Sequence, residues 1–103
     1  MYILLAEGQS GAQLEEPEDC MRFHVVLRDI GIYAAQSMLQ ADDIGRLEDN
    51  DTAWINVAAV RKLAEGRVSA DWSERFQQML DYAMSKGWVS EDGADLQAFI
   101  ERE

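Results

Sequence analysis

The chain has 103 residues, which suits one domain with a single core. Hydrophobic residues make up 48% of it, enough apolar side chain to offset the ordering entropy, so a disordered chain is excluded. The 20 Asp and Glu against 9 Lys and Arg give a formal net charge of -11, which repels nucleic-acid phosphate and anionic lipid.

The acidity reads first as surface solvation. A sharper reading is an acidic face for a basic partner. A DNA mimic would need its carboxylates in two long rows, whereas here they are spread along the chain. The apolar runs, such as Tyr2 to Ala6 and Val25 to Leu27, are far too short to span a membrane. No basic segment precedes Tyr2 to Ala6 and Glu7 follows at once, so no signal peptide is expected. Cys20 is the single cysteine and has no internal partner, which favours a reducing, cytoplasmic setting.

In chain order, Tyr2 to Leu5 reads as a short strand. Gly8, Ser10 and Gly11 follow it, then the charged breaker run Glu15-Glu16-Pro17-Glu18-Asp19. Residues 1–21 are therefore expected to form a loosely ordered N-terminal arm, and residues 22–103 a single globular domain. From Arg22, Phe23, Val25 and Leu27 alternate with Arg22, His24, Val26 and Arg28, which favours a strand ended by Asp29 and Gly31. Ile32, Ala35, Met38 and Leu39 recur at helical spacing and predict a helix over 32–41.

Ile44 to Glu48 and Thr52 to Val57 flank Asp49-Asn50-Asp51, the signature of a hairpin turn. Asn56 is placed to cap a helix carrying Val57, Val60, Leu63 and Ala64 and ending at Gly66. Ser69 is read as the cap of a longer helix, about Ala70 to Lys86, with Asp71 paired to Arg75 at i, i+4. Trp72, Phe76, Met79, Leu80, Ala83 and Met84 define its apolar face, and Gly87 stops it. Ser90 caps a last helix through Leu96, Phe99 and Ile100. The fold expected from these elements is α+β: a small antiparallel sheet of about three strands, or four with the N-terminal segment, packed against about four helices. The alternative is all-α, if Met21 to Leu39 is one bent helical region.

Few residues suggest chemistry. Cys20 and His24 are the only thiol and imidazole, and with Glu18 or Asp19 they fall short of the four-ligand set of a structural zinc site. Glu48-Asp49-Asn50-Asp51 fails the calcium-loop template in both registers: counting from Asp49 the sixth and twelfth residues are Trp54 and Val60, and counting from Asp43 they are Glu48 and Trp54. Glu7 to Gly11 lacks both the spacing and the lysine of a phosphate loop. No catalytic residue, cofactor or metal is expected.

The tryptophans Trp54, Trp72 and Trp88 carry most of the interest. Trp72 and Trp88 bracket one helix, whereas Trp54 alternates away from Ala53, Ile55 and Val57 and should point outward. The function expected is that of a non-enzymatic protein-interaction or accessory domain in the cytoplasm, with a protein partner or self-association and no nucleic acid or membrane. Its contact surface would be Trp54 with Glu48, Asp49 and Asp51 as a polar rim. The alternative is a small-ligand-binding or enzyme-associated regulatory domain with an aromatic pocket built from Trp54, Trp72 or Trp88. A stand-alone hydrolase using carboxylates ranks last.

Overall fold

The strongest helical periodicities do form helices. In the computed structural model, which describes all 103 residues, these are α1 (Ile32–Ala41), α2 (Val57–Ala64) and α3 (Trp72–Ser85). The Asn56 side chain caps α2 by accepting from the Ala59 N–H at 2.9 Å, satisfying one donor of the first turn. At the end of α3, Gly87 takes φ 79°. The Trp88 N–H then donates to the Ala83 carbonyl at 2.9 Å and the Gly87 N–H to Met84 at 3.1 Å, a left-handed glycine stop. The expected cap at Ser69 does not form: Asp71 is the cap position and makes no side-chain cap bond. The Ser69 hydroxyl lies instead 3.0 Å from Glu18 Oε1 and 2.7 Å from Asp71 Oδ1.

The strands overturn the expected architecture. There are six: β1 (Tyr2–Ala6), β2 (Gln13–Glu15), β3 (His24–Arg28), β4 (Gly45–Leu47), β5 (Thr52–Asn56) and β6 (Asp95–Arg102). They form one mixed sheet, ordered β2-β1-β3-β6-β5-β4 and curled into a half-barrel. The pairs β1–β3 and β3–β6 are parallel, and the remaining three are antiparallel.

An antiparallel sheet of three strands with four helices is therefore incorrect, as is an all-α chain, since Met21 to Leu39 contains β3 before α1 begins. The expected last helix is β6. Leu96, Phe99 and Ile100 fit i, i+3, i+4, but Leu96, Ala98 and Ile100 also fit i, i+2, i+4, and those three are the buried ones. Residues 1–21, read as an arm, carry β1 and β2. The β1 strand lies between β2 and β3 and places Ile3 and Leu5 in the core. The β1 and β3 strands each bury three consecutive residues, Ile3-Leu4-Leu5 and Val25-Val26-Leu27, the pattern of interior parallel strands.

The register separates two sheet faces. Ile3, Leu5, Leu14, Val25, Leu27, Ala53, Ile55, Leu96, Ala98 and Ile100 join residues of all three helices in one cluster of 22 buried side chains. The helices thus cover one face. Close packing reaches the backbone at Gly45 in β4, where a Cβ would sit 2.2 Å from the Trp54 carbonyl oxygen. The opposite face carries Tyr2, Leu4, His24, Val26, Phe99, Thr52, Trp54 and Arg46, and Leu4 and Val26 are the only buried residues outside the main cluster.

Candidate functional site

The helix-free face is organised by strand pairing. Glu15 lies opposite Tyr2, Tyr2 opposite His24, His24 opposite Phe99, and Phe99 opposite Thr52. This row crosses five strands, a width of about 19 Å at the usual strand spacing. The Tyr2 and His24 rings stack with centroids 5.2 Å apart at 23°. Phe99, between His24 and Thr52 in the row, is 67% exposed. Beside it, Trp54 lies opposite Gln97 and Arg46, and the Arg46 guanidinium sits 5.7 Å from the indole centroid.

Carboxylates rim these rings. Glu101 Oε2 is 3.6 Å from His24 Nε2, and Asp95 Oδ2 is 3.7 Å from Arg46. Gln97 donates to Glu48 Oε2 at 3.0 Å. At one margin Arg28 Nε donates to Glu103 at 2.7 Å.

The sequence-derived candidates divide on this surface. Trp54 and Glu48 stand together on the helix-free face, joined through Gln97. Asp49 is occupied by the β4–β5 turn: one carboxylate oxygen accepts from the Asp51 N–H at 2.8 Å, the Thr52 N–H at 2.8 Å and the Thr52 hydroxyl at 2.9 Å. The Asp51 N–H, then the Thr52 hydroxyl, hold its carboxyl below the ordinary carboxylate range against a smaller opposing effect of desolvation. Asp51 faces Arg102 at 3.7 Å, and Arg102 also reaches the Asn50 carbonyl.

Sequence reasoning did not bring Phe99, Tyr2 and His24 together with Trp54 on one surface. The signal for Phe99 was the alternation Leu96-Ala98-Ile100 on one side of β6 and Gln97-Phe99-Glu101 on the other. Nothing local brings Tyr2 or His24 beside it, because that depends on the order of the strands.

The remaining candidates are dispersed. Cys20 belongs to the core cluster, on the other side of the sheet from His24, and burial pushes its thiol pKa up, opposing thiolate formation. Trp72 is buried, stacked on Phe76 at 4.7 Å, with its indole N–H donating to the Pro17 carbonyl. Trp88 packs edge-on against Tyr82 beyond the end of α3. The tryptophans therefore do not line a common pocket. No group of three or more His, Cys, Asp or Glu side chains is placed to hold a metal ion, and no helix is long and apolar enough to cross a membrane. The helix-free face offers aromatic rings and carboxylates, which suit contact with cationic and apolar side chains. No family model, curated protein or solved structure matches this chain.

Proposed function

We propose that this protein is a non-enzymatic interaction domain of the cytoplasm that docks a basic segment of another protein on the helix-free face of its sheet. The observation that carries the reading is Phe99, a phenylalanine 67% exposed at the centre of a face that also holds Tyr2, His24 and Trp54. A large ring in that position adds nothing to the core and gives a partner an apolar anchor. The rim of Glu15, Glu48, Asp95 and Glu101 and the net charge of -11 favour a cationic partner. The same charge on two copies opposes self-association. A lone cysteine with no disulfide supports the reducing compartment.

The test compares wild type with Phe99→Ser and Trp54→Ala as affinity baits in the native cell. Both variants should keep the wild-type circular dichroism and lose the same basic co-purifying protein. Folded variants that retain every co-purifying protein would remove the proposed surface.

A further inference from the structure

On the helix-covered side, beyond the surface just proposed, a groove of about 560 Å³ runs between the 18–21 loop and α3. Its lining includes Cys20, Met21, Gln78, Met79 and Tyr82. Two of these are unusually open for apolar side chains: Met21 is 91% exposed and Tyr82 59%. Hydrogen bonds fix the loop wall. Arg75 donates to the Glu18 carbonyl and to Glu18 Oε1, both at 2.6 Å, and the Ser69 N–H donates to Glu18 Oε2 at 2.9 Å. The Met21 N–H donates to Asp19 Oδ1 at 3.0 Å. Met21 is thus held out by a strapped loop.

We propose that this groove is a second docking site, and that its occupant is a basic amphipathic helix of a partner protein. The shape argument comes from α3. Arg75, Gln78, Met79 and Tyr82 lie at i, i+3, i+4 and i+7, so the groove follows about two turns, or roughly 10 Å, of the helix. A second helix laid along that stripe would bury Met79, Tyr82 and Met21, and methionines adapt to many apolar shapes. Both walls have their backbone engaged, α3 in its own helix and the loop at Asp19 and Glu18, so a groove-bound helix fits better than an added strand.

The charge argument selects the sign. Around the groove stand Glu18, Asp19, Asp71, Glu74 and Asp81; against them are Arg75 in the lining, the N-terminal ammonium 3.9 Å from Asp19 and Lys86 at 5.5 Å from the Tyr82 ring, so acid exceeds base. Helical geometry places Glu74 and Asp81 about 40–60° around from Gln78, on the solvent flank of the stripe. Arg75 is shared between Glu18 at 2.6 Å and Asp71 at 3.3 Å, which leaves one net negative charge on the three groups. An incoming helix therefore meets an apolar floor and an acidic rim, complementary to an apolar stripe flanked by Lys or Arg. A second copy of this chain is a poor occupant: it carries the same -11, and in α2 the basic pair is Arg61-Lys62, with Arg61 engaged by Gln77 at 3.0 Å. Acidic rims also turn away nucleic acid and anionic lipid.

The test titrates isotopically labelled full-length protein with a synthetic Leu/Lys amphipathic helical peptide, using a Lys/Ser peptide of equal charge as the control. Amide shifts should concentrate at 18–21 and 75–82, and the Leu/Lys peptide should bind at least about tenfold tighter than the control. Met21→Glu adds negative charge and would strengthen a purely electrostatic association. If Met21 is an apolar anchor, it instead weakens binding by about tenfold or more. Tyr33→Glu, a comparably exposed position on α1 that neither proposed surface uses, should leave peptide affinity within about twofold. Three results would each overturn the proposal: equal binding of the two peptides, shifts centred on the sheet face, or a Met21→Glu variant that binds as tightly as wild type. Exposure of Met21 keeps its variant folded, which circular dichroism verifies.

Discussion

Truncating Phe76 tests how α3 is attached to the core. The side chain is 0% exposed, its ring stacks on Trp72 at 4.7 Å and 9°, and the Arg61 guanidinium lies 4.8 Å from its centroid. Phe76→Ala removes a fully buried ring and leaves a cavity in the buried cluster beneath α3, a loss of about 3–5 kcal/mol. A domain of this size holds only about 5–15 kcal/mol in total. The melting temperature should therefore fall by roughly 15–30 °C. With a urea slope near 2 kcal/mol/M, the midpoint should drop by about 2 M. Phe76→Leu, which nearly conserves volume, should cost less than about 1.5 kcal/mol. Urea titrations read together by far-ultraviolet circular dichroism and tryptophan emission give both numbers. A Phe76→Ala loss below about 1 kcal/mol would mean that α3 does not pack through this face, and the buried cluster described above would be misassigned.

Gly45→Ala should cost about 1–3 kcal/mol, because the added Cβ would meet the Trp54 carbonyl at 2.2 Å and that oxygen belongs to the neighbouring strand; chemical denaturation within about 0.5 kcal/mol of wild type would contradict the β4–β5 register. Acid should loosen the strap on the 18–21 loop. Desolvation is the largest single effect on the Glu18 carboxyl and pushes it up, but the bonds from Arg75 and Ser69 together outweigh it, while the Ser69 hydroxyl and Arg75 lower Asp71. Both folded-state values thus lie below the unfolded ones. Their contribution is fully present above about pH 4–5 and disappears as the pH falls through the depressed values. The melting-temperature gap between wild type and Glu18→Gln should be constant from pH 7 to about 5 and then close toward pH 2; a gap unchanged at low pH would show that the Glu18 charge contributes nothing there.

The helices were legible because their apolar positions fit only one period. Ile32, Ala35 and Leu39 cannot share a strand face, nor can Trp72, Phe76, Leu80 and Ala83 along with the polar residues between them. The β4–β5 hairpin was legible from Asp49, whose carboxylate performs the turn bonding that its residue type suggests. Segment 95–102 was ambiguous, because Leu96 and Ile100 satisfy both periods, with Phe99 completing the helical pattern and Ala98 the strand pattern, and only pairing with β3 and β5 decides between them. The β2 strand has three residues, too few to show any period, and the run of β1 is apolar on both faces because neighbours flank it on both sides. For the candidate site, alternation alone turns Trp54 away from Ala53 and Ile55. The company it keeps could not be read locally, since Tyr2, His24 and Phe99 come from three strands whose order is a tertiary property.

The central position of β6 also governs how the molecule assembles in time. One half of the sheet, β2-β1-β3, comes from the first 28 residues, and the other is the β4–β5 hairpin; β6 is the strand that joins them, and it lies later in the chain than both. Pairing His24 with Phe99 closes a loop of some 75 residues, whose entropy must be lost before the contact returns any stability. Folding should accordingly be slow for a domain of this length, closer to the milliseconds-to-seconds range of non-local β folds than to that of helical bundles. On a translating ribosome, both half-sheets would emerge and wait with open inner edges. The interval before residues 95–102 arrive is when the chain is most exposed to strand-to-strand association with its neighbours.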